Sequence, residues 1–287
     1  MRPSALLVST TAAVLLSACG GADAADDAAP STPSAVGPQV EEDLAAGVAS
    51  YRDYVLGQAT GTREATTVLT DAVRAGDLPA ARAAYAPSRV GWERIEPVAG
   101  LVEELDGRLD ARVDDFSGVD DPDFTGWHRL EHLLFAQGTT EGGTPLADQL
   151  DADLVTLETE LAEADITALD VAQGAGELVE EVSRGKITGE EDRYAHTDLW
   201  DFAANIEGSA AAVERLAPAL QTQDPELLSA VQAGLTQVQE GLAPYALPEG
   251  GYASYETLTE DDRQQLSAQL AALSEELSRV PGALGLE

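Results

Sequence analysis

Cysteine is almost absent from this sequence: Cys19 is the only one among 287 residues. A single cysteine cannot form an internal disulfide, and it excludes a metal site built only from thiolates. The apolar stretch from Ala5 to Leu16 is too short to span a bilayer as a stable helix. Val and Ile seldom alternate with polar residues, which argues against β-strands.

Basic side chains are also few. The chain has 16 lysines and arginines against 52 aspartates and glutamates, a formal net charge of −36. Nucleic-acid binding is excluded on this balance, because contacts with phosphates need a basic surface. An acidic surface attracts cations and repels anionic substrates. Acidity can also serve solubility alone, so the charge is only a weak indication of cation binding.

The beginning of the chain resembles an export signal. Arg2 precedes the apolar stretch, which runs into Leu16-Ser17-Ala18-Cys19, a sequence similar to the lipobox of bacterial lipoproteins. We therefore predict a lipoprotein signal peptide over 1–19 with Cys19 lipidated, and a protein anchored to the cell membrane on its extracytoplasmic side. The alternative is an ordinary secretory signal with an idle cysteine. Residues 20–40 are mostly small or polar, which predicts a flexible tether.

The remaining residues, 41–287, have the composition and periodicity of helices, since Ala, Leu, Glu and Gln dominate. Predicted helices cover about 41–75, 79–105, 123–138, 145–164, 167–184, 197–220, 225–243 and 260–279. This number of helices with short links predicts an all-α fold. We expect a pair of four-helix bundles, about 41–165 and 166–287, packed as one unit, or one larger helical array.

Residues 126–135 read GWHRLEHLLF and place His128, Glu131 and His132 at positions i, i+3 and i+4 of one helix. This is the H-x-x-E-H order of inverted zincins. The apolar side of the helix carries Trp127, Leu130, Leu133 and Leu134. A histidine and a glutamate three residues apart can reach one metal ion. The alternative is a solvated face with a hydrogen bond between the two side chains.

Carboxylates also recur upstream. Glu93 and Glu96 lie one turn apart, and Asp106, Asp110 and Asp114 follow at four-residue steps on one predicted helix face or its continuation. Oxygen ligands with one imidazole suit iron or another hard to borderline cation. A row of carboxylates can equally be a solvated face.

Four stretches carry a resemblance to a known family: YAPSRVGWERIEPVAG, LDARVDD, GWHRLEHLLF and GKITGEEDRYAHTDLWDFAANIEG, in this order. Over about 44–280 the chain resembles the imelysin-like domain of the EfeO/EfeM iron-uptake proteins. The resemblance implies a pair of four-helix bundles and a non-enzymatic, extracytoplasmic component of an EfeUOB-type system. Such a component captures iron and delivers it to a membrane permease, beside a Dyp-type haem peroxidase.

The resemblance also implies metal ligands. His128 and Glu131 match the family motif G-x-H-x-x-E, Glu96 matches an upstream glutamate, and Asp110 matches an upstream aspartate. Asp114 and Glu93 are alternatives, and His132 has no counterpart role. The expected cargo is iron, as Fe3+ or Fe2+, with Zn2+ and Cu2+ as competitors in vitro. Full-length EfeO also has a cupredoxin-like domain. This chain has no Cys-His-Met copper set, since its only Met is Met1, and it looks like the short form.

Two other functions stay open on the sequence. Imelysin-like proteins have been classed with peptidases, so the H-x-x-E spacing permits a metallopeptidase in which Glu131 is the general base. A structural or adhesive surface protein is the third hypothesis. The polar stretch 194–201 could form a second polar site or a permease contact. Its alternative role is structural, with Asp198 capping a helix, His196 hydrogen-bonded locally and Trp200 packed between bundles.

Overall fold

The computed structural model describes residues 36–286, and the expected lipidation site Cys19 lies outside the described residues. The predicted all-α class is confirmed, since these residues form helices and no strand. The helices are α1 (Pro38–Ala75), α2 (Leu78–Ile95), α3 (Glu103–Leu109), α4 (Gly126–Glu131), α5 (Thr144–Glu163), α6 (Ala168–Arg184), α7 (Asp198–Gln223), α8 (Pro225–Leu242), α9 (Glu260–Leu277) and α10 (Val280–Ala283).

Local sequence explains the turn between α1 and α2. α1 begins at Pro38, inside the stretch expected to be tether. It ends at Ala75 and is followed by Gly76, whose φ of +74° closes a helix without the penalty of a Cβ. The Asp77 side chain accepts a hydrogen bond from the Ala80 amide, 3.1 Å away, and caps α2.

The predicted helix over 79–105 is not continuous. α2 ends at Ile95, and Glu96–Val102 form a 3-10 helix before α3 begins. Pro97 cannot donate its backbone nitrogen to an α-helical ladder, which accounts for the break there. A similar change occurs after α4, where His132–Ala136 form a π-helical turn. Such turns are rare and occur frequently at functional sites.

The helices pack as two groups that share one compact unit over the described residues, 36–286. α6 contacts α7 and α9, and α8 contacts the same two helices, so these four close a bundle. α1 contacts α2 and α5, with α3 and α4 against α5. α7 also packs on α1 and α2, which joins the two groups. The leucine row of α5 is buried in the core: Leu150, Leu154, Leu157 and Leu161.

Membrane crossing by these helices is not supported, because none within residues 36–286 is both long and apolar enough to span a bilayer.

Candidate metal centre

A buried group of charged and polar side chains lies where α2, α4, α7 and the segment 185–197 meet. We call it the carboxylate cluster. Its members are Arg89, Glu93, Glu96, Asp110, His128, Glu131, Lys186, Glu191, Asp192, Asp201 and Asn205. Ions in a protein interior persist only where other charges and hydrogen bonds compensate their lost hydration. The contacts within the cluster provide that compensation.

His128 is the centre of the cluster, and its side chain is only 3% exposed. Its Nε2 lies 3.4 Å from Asp110 and 3.8 Å from Glu191. Its Nδ1 lies 3.2 Å from Glu131 and 4.0 Å from Asp192. Each ring nitrogen therefore faces a pair of carboxylates. The solvated-face interpretation of this helix is wrong, because His128 and Glu131 are both buried.

Among the described residues, two sets of three side chains are compact enough to hold a metal ion. They are Asp110, His128 and Glu191 on the Nε2 side, and His128, Glu131 and Asp192 on the Nδ1 side. In each set the ligand atoms lie within 4.8 Å of one another.

Electrostatics favour charged forms around His128. Burial and the nearby Arg89 lower the pKa of His128, but hydrogen bonds with Asp110 and Glu131 outweigh them and raise it to about 10. Burial raises the pKa of Asp110, yet Arg89 and His128 together hold it well below its usual value. Trp92 Nε1 also donates a hydrogen bond to Asp110, at 2.9 Å. Asp110 is therefore an ionised ligand candidate in a fixed orientation.

Glu131 is held on both of its oxygens. Oε2 faces His128 Nδ1, and Oε1 accepts hydrogen bonds from the backbone amides of Tyr194 at 2.6 Å and Ala195 at 2.8 Å. A carboxylate in this position fixes the orientation of the imidazole ring and ties α4 to the segment 185–197.

Glu93 and Glu96 form the other side of the cluster, around Lys186. Lys186 Nζ lies 3.0 Å from Glu93 Oε2 and 2.8 Å from both carboxylate oxygens of Glu96. Asn205 Nδ2 donates to the same two carboxylates, at 2.9 and 2.7 Å. Burial raises the pKa of Glu96 well above its usual value despite the nearby ammonium of Lys186.

Arg89 connects the two sides. Its guanidinium donates to Asp110 and Glu93 and lies 3.3 Å from Glu191 and 3.4 Å from Asp201. A planar guanidinium with several donors suits this bridging role. Carboxylates still outnumber the cations of the cluster. Burial and the neighbouring Asp192 accordingly raise the pKa of Asp201 well above its usual value.

An acidic cleft of about 730 Å³ leads to the cluster, with Glu96, Asp110 and Glu191 in its wall. The other carboxylates along it are Glu103, Asp106, Asp115, Asp170, Glu177 and Glu181. Among the described residues that line the cleft, Arg112 is the one basic side chain, and it donates to Glu191 at 2.9 Å. Burial and the nearby Asp110 raise the pKa of Asp106 to about 7. The cleft therefore presents a strongly negative path to the Nε2 side of His128.

The sequence-predicted ligands are only partly brought together. Asp110 and Glu131 both face His128, on different ring nitrogens, whereas Glu96 and Glu93 surround Lys186 instead. Asp114, the alternative aspartate, pairs with Arg193 at the surface. His132 is half-buried beside Tyr194, with a ring separation of 5.1 Å, and belongs to neither set of three.

The sequence interpretation missed Arg89, Lys186, Glu191 and Asp192. Glu191 and Asp192 stand in the most recognisable stretch, GKITGEEDRYAHTDLW, ahead of the residues singled out there. Lys186 could also have been singled out from the sequence, because it is the only lysine in the chain. A chain that uses arginine everywhere else keeps lysine at this position, and there it is buried.

The stretch 194–201 holds the cluster in place. Asp198 accepts hydrogen bonds from the amides of Glu191 and Asp192, at 3.2 and 3.3 Å, and so shapes the segment before α7. His196 has a φ of +56°, and its amide donates to the Asp192 carbonyl at 2.7 Å. Trp200 Nε1 donates to the Tyr252 carbonyl. His196 is thus hydrogen-bonded locally, as in the structural role set out for this stretch. Asp198 bonds to the preceding segment instead of capping α7, and Trp200 lies against the loop at Gly251 and Tyr252.

Fold and cluster together define an all-α protein built around a buried histidine–carboxylate centre at the end of an acidic cleft. The chain belongs to the imelysin family, since the family model Peptidase_M75, described as imelysin, matches residues 47–280. A crystal structure of an imelysin-like protein from Psychrobacter arcticum 273-4 has the same fold, with a TM-score of 0.67 at 14% identity. The match covers 88% of this chain and 98% of that one.

Curated relatives are more similar in sequence. The iron uptake system component EfeO of Escherichia coli O1:K1 is 46% identical over 245 residues, and the protein of that name from E. coli K12 is 45% identical. The EfeO of Shigella flexneri is also 45% identical. Each alignment covers 85% of this chain and 65% of the relative, so the chain spans just under two-thirds of their length.

Proposed function

We propose that this protein is the iron-binding component of an iron-uptake system and holds its cargo ion on Asp110, His128 and Glu191. The observation that carries the proposal is the position of His128 Nε2, which faces both carboxylates where the acidic cleft meets the cluster. Relatives 45–46% identical are named as iron uptake system components, which supports iron as the cargo.

The donor set suits this cargo. Two carboxylates and one imidazole bind Fe2+ and Fe3+ well once His128 Nε2 has released its proton, and they also bind Zn2+ and Cu2+, which we expect to compete in vitro. Glu131 acts from the Nδ1 side, where it orients the imidazole. We further propose that a lipid on Cys19 anchors the protein at the extracytoplasmic membrane surface. There it releases iron to a membrane permease and acts beside a Dyp-type haem peroxidase.

A binding function is favoured over peptidase activity by the contacts of Glu131. In a metallopeptidase this residue would act as a general base and would need access to a metal-bound water. Both of its oxygens are instead engaged, one with His128 and the other with two backbone amides. This arrangement supports a carrier without catalytic turnover.

The proposal is tested by a matched pair of substitutions, Asp110→Asn and Asp114→Asn, in residues 35–287. We expect one tight site for Fe2+ or Fe3+-citrate by calorimetry in the parent protein, lost or weakened by at least about 100-fold in Asp110→Asn because a ligand is removed. His128→Ala should behave in the same way. Asp114→Asn should bind as the parent does, because Asp114 faces Arg193 at the surface.

Equal binding by the parent and both aspartate variants would mean that the acidic surface merely collects cations, and the site assignment would be wrong. Hydrolysis of peptides by the metal-loaded protein, lost in Glu131→Gln, would favour the peptidase instead.

A further inference from the structure

Lys186 occupies an unusual place for a lysine. It is the only one in the chain, and its side chain is 1% exposed. Its ammonium has three carboxylate oxygens within 3.0 Å, from Glu93 and Glu96, and a fourth from Glu191 at 3.5 Å. A buried ammonium loses its hydration, so it needs this set of anionic neighbours to remain charged.

These contacts resemble those of a bound metal ion. An ammonium is a compact point charge, and oxygen atoms that converge on it can also converge on a metal cation, at about 2.0–2.2 Å. Two cations within a few ångströms of each other repel strongly in a protein interior. The ammonium of Lys186 and a metal ion are therefore alternative occupants of the space between Glu93 and Glu96.

The two carboxylates lie beside the proposed iron ligands. Glu191 Oε1 is shared, because it lies 3.8 Å from His128 Nε2 and 3.5 Å from Lys186 Nζ. Arg89 joins Glu93 to Asp110 on the same side. An ion that enters from the cleft and binds Asp110, His128 and Glu191 therefore arrives next to two cations, the ammonium of Lys186 and the guanidinium of Arg89, whose Nη1 lies 3.4 Å from His128 Nε2. Of the two, the lysine side chain is the more flexible and the more readily displaced.

We propose that Lys186 is an internal counter-cation that the cargo ion displaces, after which Glu93 and Glu96 complete the ion's ligand shell. The inference rests on the proposed function. Lys186 thereby acts as a specificity-determining residue, because a monovalent cation gains little over an ammonium already in place, whereas an ion of higher charge gains more from the same carboxylates. Glu181, which lines the cleft together with Glu96 and Glu191, offers the displaced ammonium its next partner.

The sole lysine makes this displacement directly measurable. The full-length protein is treated with an amine-acetylating ester in two separate reactions, one without metal and one with the protein saturated with Fe2+ under anaerobic conditions. Modification of Lys186 in each reaction is followed by mass spectrometry. We expect Lys186 to react at least about tenfold faster in the metal-loaded protein, because its ammonium has left the glutamate pair. An exposed free amine added to the reaction gives the reference rate in both states.

Lys186→Met provides an independent measurement, since it removes the charge at similar length. We expect at least about tenfold tighter Fe2+ binding, because the competing cation is gone, and a larger gain in melting temperature on metal addition than in the parent. Arg184→Met, an exposed cation two residues away whose partner is Glu180, is the matched control and should leave affinity unchanged. If Lys186→Met fails to fold without metal, acetylation of the parent decides the question.

Failure of this inference can be told apart from failure of the proposed function. If the parent binds no metal by calorimetry, the proposed function falls and the displacement falls with it. If the parent binds iron at Asp110 and His128, but Lys186 stays protected and Lys186→Met binds no tighter, the displacement alone is overturned. The ion would then be held without Glu93 and Glu96.

Discussion

At the scale of single residues, chemically similar side chains of the carboxylate cluster have different roles. Asp110 and Glu131 both touch His128, but Asp110 lines the cleft and Glu131 is tied to backbone amides. His128 Nε2 faces Asp110 and Glu191, which both line the cleft, whereas Nδ1 faces Glu131. The glutamate three residues further along α4 thus decides which side of the imidazole faces the two carboxylates of the cleft wall.

Glu131→Gln tests this orientation. A glutamine must keep its oxygen toward the amides of Tyr194 and Ala195, so its NH2 group faces His128 Nδ1 and donates to it. The remaining imidazole proton then lies on Nε2, where a metal would bind. We expect iron affinity to fall by about 10–100-fold, measured by calorimetry. Glu141→Gln, at an exposed loop position, is the control. Unchanged affinity in Glu131→Gln would contradict the orienting role.

At the scale of the elements, the centre depends on the close approach of two short helices. Gly126 begins α4 with a φ of +72°, and a Cβ at that position would lie 2.1 Å from the Leu109 carbonyl oxygen at the end of α3. The absence of a side chain thus lets α4 start directly against α3. Asp110, the residue that follows α3, is brought to His128 by this contact.

Gly126→Ala should therefore disturb both stability and the centre. An alanine at this position would have a strained φ, and its Cβ would clash with the backbone. These two effects predict a loss of about 1–3 kcal/mol in the free energy of unfolding. Iron affinity should fall too, because His128 shifts relative to Asp110. Gly107→Ala, within α3 and with nothing within 4 Å of its added Cβ, should be neutral or slightly stabilising. Urea unfolding and calorimetry measure both effects. Equal stability of the two variants would rule out the close-approach argument.

Among the elements, local sequence patterns predicted some helices well but not the position of every site residue. The leucine spacing of α5 and the cap at Asp77 locate helices well, because helix periodicity and capping are local. The four-residue spacing that predicts Asp110 and Asp114 on one helix face does not hold, because α3 ends at Leu109 and the chain leaves the helical path. Glu191 and Asp192 could not be placed from periodicity, since they lie in an irregular segment shaped by hydrogen bonds to Asp198.

At the scale of the whole molecule, the net charge of −36 should govern how fast a cation reaches the centre. We expect the association rate of Fe2+ to fall by about tenfold as ionic strength rises from about 0.01 to 0.15 M. Trp92, which is hydrogen-bonded to Asp110, is a natural fluorescent reporter for stopped-flow measurements. An anionic ferric citrate complex should show the opposite dependence on salt. A rate for Fe2+ that is insensitive to salt would contradict steering by the acidic surface.

The burial of the only lysine has a consequence for proteolysis. A lysine-specific endoprotease has one bond to cut in 287 residues, the bond between Lys186 and Ile187, and both flanking side chains are buried. A cut there would separate α1–α6 from α7–α10 and divide the cluster between two fragments. The chain as a whole is therefore resistant to such a protease for as long as the cluster stays closed, and its first cleavage coincides with the opening of the centre.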